Sequence, residues 1–265
     1  MIGATFALAA LGLVSASPAS TLAFDDGDAM AWPVVKTQKV ISEAASALSA
    51  AVPNKEVGGA FPIPGFSKAF VLVAHVTDKS RDLNPSVEGY NLIASRDGYA
   101  SSFVSFEKST EEDKDLFPSY LPGPLAAYLN GTSNVATDLS KFYNPYGFSL
   151  KDDGHGPGLT LVRQDDYPGT PGVTISSLVD LVSELVPHQF LACNETVPKY
   201  QDRYLTVLRH LDTSVSKAIP DKCVPVKLFP ECRDIDKIYI KRQKNAKKGV
   251  SVRCYKTGSD YSHFD

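Results

Sequence analysis

A chain of 265 residues, 43% hydrophobic and 22% charged, is long enough to bury a sizeable core and has the composition of a globular protein. A net charge of -3 excludes bulk attraction to nucleic acid. Eighteen prolines and eighteen glycines supply the many turns of an all-β chain.

The first residues carry an apolar run from Ile2 to Val14, followed by small residues. Val14-Ser15-Ala16 fits the small-x-small rule of signal peptidase, so residues 1–16 are predicted to be a signal peptide with Ser17 as the new N-terminus. The run is shorter than the roughly 20 apolar residues that cross a bilayer, and no membrane span is expected. Residues 17–65 read as an N-terminal extension and linker. Val40, Ile41, Ala44, Ala45 and Leu48 have helical spacing, so this region holds at most one short helix before the Pro/Gly-rich "PNKEVGGAFPIPG".

Residues 66–265 are predicted to form a mainly-β secreted domain. "AFVLVAHVT" (69–77) is a continuous apolar run and predicts a strand buried on both faces. "YNLIAS" and "SSFVSF" flank Asp97-Gly98, a hairpin signal. "GFSLK", "LTLVRQ" and "GVTIS" are short strands separated by "DDGHGPG" and "DDYPGTPG". "SSLVDLVSEL" has Leu178, Leu181, Val182 and Leu185 on one helical face, which predicts one short helix near 176–186. Strands resume with "HQFLAC", "RYLTVLRHL", "CVPVKLF", "DKIYIKRQ" and "VSVRCY". The fold class is mainly β, an antiparallel sandwich or irregular barrel.

Cys193, Cys223, Cys232 and Cys254 are even in number, and their spacings give no C-x2-C knuckle. Disulfides are expected, with Cys193–Cys223 and Cys232–Cys254 favoured among the three connectivities because each pair joins strands close in the chain. Asn130-Gly131-Thr132 and Asn194-Glu195-Thr196 are glycosylation sequons. All of this agrees with a secreted protein, extracellular or bound to the cell wall.

The motifs of serine hydrolases, zinc proteases and nucleotide-binding folds are absent, and no cofactor or metal is expected. "DDGHGPG" (152–158) is the one stretch that concentrates polar chemistry. Asp152 or Asp153 with His155 would make a general-base pair in a cryptic hydrolase, provided that the ring faces the carboxylate across a concave pocket. Asp, Gly and Pro are also turn residues. The same grammar returns in "DDYPGTPG" without a histidine, so the turn reading is preferred. His75 reads as a buried, hydrogen-bonded core residue, and His263 as part of a mobile terminus. "FYNPYGF" (142–148) could stack on sugars or plug one end of the fold.

Residues 233–256 hold nine cationic and two anionic side chains, a net of +7 that leaves -10 for the rest. The segment 237–253 reads as a hairpin with a basic tip, where Lys241, Arg242, Lys244, Lys247 and Lys248 could bind an anionic polysaccharide or lipid. A solvated hairpin whose lysines discourage aggregation is the plainer reading.

The strings "FVLVAHVTDKSRDLNPSVEGYNL", "YLNGT", "GTPGVTIS", "FLACNETVPKYQDRYLTV" and "CVPVKLFPEC…VRCY" resemble a family of small secreted ascomycete proteins built around a domain of unknown function, number 7907. The resemblance runs from about Phe66 to Tyr255. It implies fungal secretion, a mainly-β domain and the C-terminal cysteines, and it carries no catalytic residues onto this chain. One departure is Ser95-Arg96-Asp97-Gly98, where a Gly-rich turn would follow the second strand. The expectation is a non-enzymatic extracellular protein whose partner is cell-wall polysaccharide or a host surface.

Overall fold

The structure, a computed structural model, describes residues 62–96, 102–108, 118–138, 145–166, 168–176, 180–196, 204–236 and 243–264. The chain divides into two units, 1–56 and 57–265. The expected signal peptide, the short helix near 40–48 and Trp32 all lie outside the described residues.

The second unit is mainly β and antiparallel. Its strands are β1 (Gly65–Ser67), β2 (Ala69–Val76), β3 (Asn91–Arg96), β4 (Ser102–Glu107), β5 (Ser119–Tyr120), β6 (Ala136–Asp138), β7 (Pro145–Asp152), β8 (Leu159–Asp166), β9 (Thr174–Ile175), β10 (Leu185–Val186), β11 (Phe190–Thr196), β12 (Tyr204–Leu211), β13 (Cys223–Arg233) and β14 (Val252–Cys254). Ten strands form one sheet in the order β11-β13-β2-β3-β4-β12-β8-β7-β6-β5, with further pairings β11–β12, β2–β5 and β4–β8. The sheet therefore returns on itself, which is the irregular barrel of the two alternatives. Closure leaves few unpaired strand edges to recruit other chains.

β2 shows why its sequence has no polar alternation: all eight residues are buried. Phe70, Leu72, Ala74 and Val76 enter the main core with Val104, Phe148, Val162, Leu208 and Leu228. Val71 and Val73 face the other way and are covered by Phe229, Tyr255 and Tyr261. Tyr261 stacks on Phe229 with centroids 4.4 Å apart, so the C-terminal segment is a packed cover for this face rather than a mobile tail. Buried Glu231 anchors it by accepting hydrogen bonds from the Gly258 N–H (3.1 Å) and the Tyr261 hydroxyl (3.2 Å). His75 belongs to the same layer. It is buried, and its Nδ1 lies 3.0 Å from Glu88 Oε1.

Cys193 is bonded to Cys223 across the β11–β13 pair, and Cys232 to Cys254, joining β13 to β14. These are the two pairs favoured from their spacing. Cys193, Cys223 and Cys254 are buried and Cys232 is half-buried.

Two expectations are corrected, a helix and a hairpin. Residues 180–184 are not helical, and Leu185 lies in β10, paired with Ile175 of β9; positions 177–179 are outside the described residues. Leu181, assigned to the apolar helical face, is 96% exposed. The serines explain the failure: Ser176 Oγ donates to the Val182 carbonyl and Ser183 Oγ to the Arg253 carbonyl. Such side chains compete with helical hydrogen bonds and here secure a tight return. Among the described residues the α-helices are instead α1 (Leu125–Leu129) and α2 (Gln243–Lys248). α2 replaces the tip of the expected basic hairpin, because "QKNAKK" consists mostly of good helix formers and Gly249 follows as a stop. β14 pairs with β1, and residues 237–242, the other arm of the expected hairpin, lie outside the described residues.

The "DDYPGTPG" turn is structural. Its Thr170 N–H donates to the Phe148 carbonyl, and Asn134 Nδ2 donates to both the Phe148 and the Thr170 carbonyls. Phe148, from the aromatic run 142–148, is core rather than a sugar platform. This loop presses so closely on β7 that a Cβ at Gly147 would lie 2.3 Å from the Pro168 carbonyl oxygen. Gly147→Ala should therefore lower stability by about 1–3 kcal/mol, read as a fall in the urea midpoint at unchanged slope.

Candidate functional site

The loop between β7 and β8 is the most polar feature of the sequence, and its geometry begins with its glycines. Gly154, Gly156 and Gly158 have φ of 77°, 142° and 74°. Asp152 Oδ1 accepts the Gly154 N–H at 2.9 Å, an Asx turn that starts the reversal. Asp152 is thereby a turn residue. Asp153 is turned the other way, onto the barrel wall.

There it meets Arg209. β12 places Leu208 in the main core, so Arg209 projects from the opposite face, where Phe103, Leu159, Leu191 and Val207 form a second apolar cluster. The Arg209 side chain is 0% exposed. Its Nη1 and Nη2 donate to Asp153 Oδ1 and Oδ2 at 3.0 and 2.9 Å. Its Nε and Nη2 donate to the two oxygens of Glu195 on the neighbouring β11, the latter at 2.7 Å. Burial works against the guanidinium charge, but the two carboxylates outweigh it and hold the pKa above its ordinary value. Burial likewise opposes the Asp153 charge, yet Arg209 and then His155 pull this carboxyl below the usual range.

His155 completes the cluster. Its Nδ1 lies 3.1 Å from Asp153 Oδ2, with the ring 55% exposed. A carboxylate only accepts, so Nδ1 carries the proton and the neutral ring offers the Nε2 lone pair. His155 lines a depression of about 290 Å³ together with Asn194, Glu195, Thr196, Asp221 and Lys222. Of the two carboxylates it is thus Asp153 that His155 meets, but the contact lies at the edge of the depression, which His155 lines and Asp153 does not. What such a pair can do is orient an imidazole and accept a proton at Nε2.

The structure unites Asp153 and His155 with Arg209 and Glu195, which sequence reasoning missed. An arginine at an apolar-alternating position of "RYLTVLRHL" was the available signal. Asn194 of the second sequon lies beside them, its Oδ1 accepting from Thr206 Oγ1 at 2.7 Å. Asn130 is far from this cluster in sequence, exposed at the C-terminus of α1. Of the basic residues, Lys244, Lys247 and Lys248 are exposed on α2, while Lys241 and Arg242 lie outside the described residues. Lys68, also exposed, adds a cation there by donating to the Lys247 carbonyl at 2.8 Å. Among the described residues, no group of three or more His, Cys, Asp or Glu side chains converges as a metal centre. None of the described helices is long and apolar enough to cross a membrane.

Comparison with known proteins places a family model, "Domain of unknown function (DUF7907)", on residues 67–232. The chain is also similar to "Antigenic protein SchS34" of Stachybotrys chartarum, 29% identical over 218 residues that cover 77% of this chain and 93% of that protein. No solved structure matches.

Removing Arg209 would leave two carboxylates against an apolar wall. Arg209→Leu should cost about 3 kcal/mol, the lower end of the range for breaking a buried pair, because both partners keep some solvent contact. The Asp153 carboxyl, lowered in the folded state, contributes stability above its unfolded pKa of about 3.9 and loses it as pH falls through the folded value. Asp153→Asn should flatten the acid limb of a stability-against-pH curve and leave its neutral-to-basic limb in place.

Proposed function

Because the chain belongs to the DUF7907 family, whose name assigns no activity, we propose that it is an exported extracellular protein that acts by binding, at the cell wall or at a host surface. The observation that carries this reading is the pair of disulfides that join β11 to β13 and β13 to β14. Such bonds persist in oxidising compartments and are rare in the reducing cytosol. The apolar run 2–14 with its Val14-Ser15-Ala16 cleavage signal supports export, as does similarity to a fungal protein described as antigenic. Asn130, exposed beside a turn, is the better glycan acceptor; Asn194 lies within a paired strand and is the lesser one.

Binding is favoured over catalysis because the carboxylates beside His155 are committed. Both oxygens of Asp153 and both of Glu195 accept from Arg209, so they brace the barrel wall. The Asp153–His155 contact favours a second reading, a hydrolase in which Nε2 of His155 draws a proton from water. The exposed Lys68, Lys244, Lys247 and Lys248 favour a third, an anionic-ligand surface around α2.

Expression in a fungal host should deliver the protein to the medium with a glycan lost in Asn130→Gln, seen as a mobility change on removal of N-glycans. A reduced, unglycosylated cytosolic product would overturn the export reading. The catalytic reading is separated by incubating wild type and His155→Ala with chromogenic esters and glycosides. Equal background rates are expected, and turnover lost in the variant would reverse the preference. The third reading predicts salt-sensitive retention on heparin that falls when Lys244, Lys247 and Lys248 are replaced by Ser.

A further inference from the structure

A second depression, of about 310 Å³, opens between the end of β2, the middle of β13 and the residues joining β10 to β11. Its floor is apolar: Leu185, Phe190 and Val226 line it, and each is buried. Its polar groups come from three separate segments. Glu184 and His188 approach from one side, with His188 Nδ1 3.5 Å from Glu184 Oε1 and the Glu184 side chain only 14% exposed. Gln189 stands on the rim, with Thr77 just beyond the end of β2 and Lys227 on β13.

Gln189 is the informative residue. Its φ of 74° lies in the left-handed region, and among the described residues no other non-glycine residue has a positive φ. A glutamine there carries a steric cost that glycine would avoid. The conformation is held by the Leu211 N–H, which donates to the Gln189 carbonyl at 2.9 Å. A strained, exposed side chain at the mouth of a concave site is the pattern expected where the side chain has work to do.

We propose that this depression binds a neutral, polyhydroxylated ligand, one sugar unit of a larger glycan, with the Glu184 carboxyl and the Gln189 amide hydrogen-bonding its hydroxyls over the Phe190–Val226 floor. The charges select for neutrality. Glu184 disfavours an anion, and His188 and Lys227 beside it disfavour a cation. A mixed lining suits a sugar ring, whose C–H faces pack on apolar side chains while its edge hydroxyls seek donors and acceptors. Burial raises the Glu184 pKa, against the opposing charges of His188 and Lys227. The site lies apart from the Asp153–His155 depression and shares no lining residue with it.

The inference deepens the binding reading and rests on it, but it does not depend on export. The test uses the purified full-length protein, so its failure leaves the secretion result standing. Hexamers of glucose, mannose and N-acetylglucosamine are titrated by calorimetry against wild type, Gln189→Gly, Thr77→Ala and Glu184→Ala. One series is expected to bind with Kd of about millimolar or tighter. Gln189→Gly should weaken it at least tenfold while keeping or raising the melting temperature, because glycine accepts the local backbone. Thr77→Ala supplies a second weakened variant should Glu184→Ala fail to fold. No binding by any of the three series overturns the proposal. So does binding that Gln189→Gly and Thr77→Ala leave unchanged, or binding that is lost in a His155→Ala variant alone.

Discussion

One buried cation organises the outer wall of this barrel. Arg209 sits at a strand position where apolar alternation would place a leucine. Its guanidinium is satisfied by carboxylates from two other elements, β11 and the β7–β8 loop. Taking the charge out of water is costly unless those hydrogen bonds form together. The requirement therefore reaches beyond the pair. The three-glycine loop must fold back for Asp153 to arrive, and β11 must hold its register against β12 for Glu195, four residues beyond the Leu191 that pairs with Arg209, to come within reach. The depression beside His155 is a consequence of that clamp.

The opposite face is closed by a different device. The C-terminal residues Tyr255, Tyr261 and Phe264 gather around Phe229 of β13, with centroid separations of 5.9, 4.4 and 5.3 Å. They cover the outward side chains of β2 and keep His75 and Glu231 from water. A strand buried on both faces in an otherwise antiparallel sheet requires such a cover, and a polar terminal stretch provides it through three aromatic residues. The two disulfides lie along the same strand, β13: one ties its start to β11, the other its end to β14.

The proposed binding role accords with these features better than the alternative catalytic one does. The apolar and ionic contacts that define the wall consume the acidic groups near the one well-placed histidine. The Glu184 depression, by contrast, is lined by residues that carry a carboxyl, an amide and a hydroxyl, Glu184, Gln189 and Thr77.

Most strands were legible in the sequence because period-two patterning and β-rich runs are local properties, as in "AFVLVAHVT" and "RYLTVLRHL". The even cysteine count and the turn chemistry of "DDGHGPG" were local too. The segment 176–185 misled because its apolar spacing suits a helix, whereas Ser176 and Ser183 find backbone partners that only the folded chain supplies. What tertiary structure alone decided is which side chains meet. Asp153 and Arg209 are 56 residues apart, and Glu195 and Arg209 are 14 apart. Residue types and their periodicity determine strands and turns, because those depend on neighbours in the chain. Partners at such separations depend on strand order and on the closure of the sheet, which no local pattern encodes.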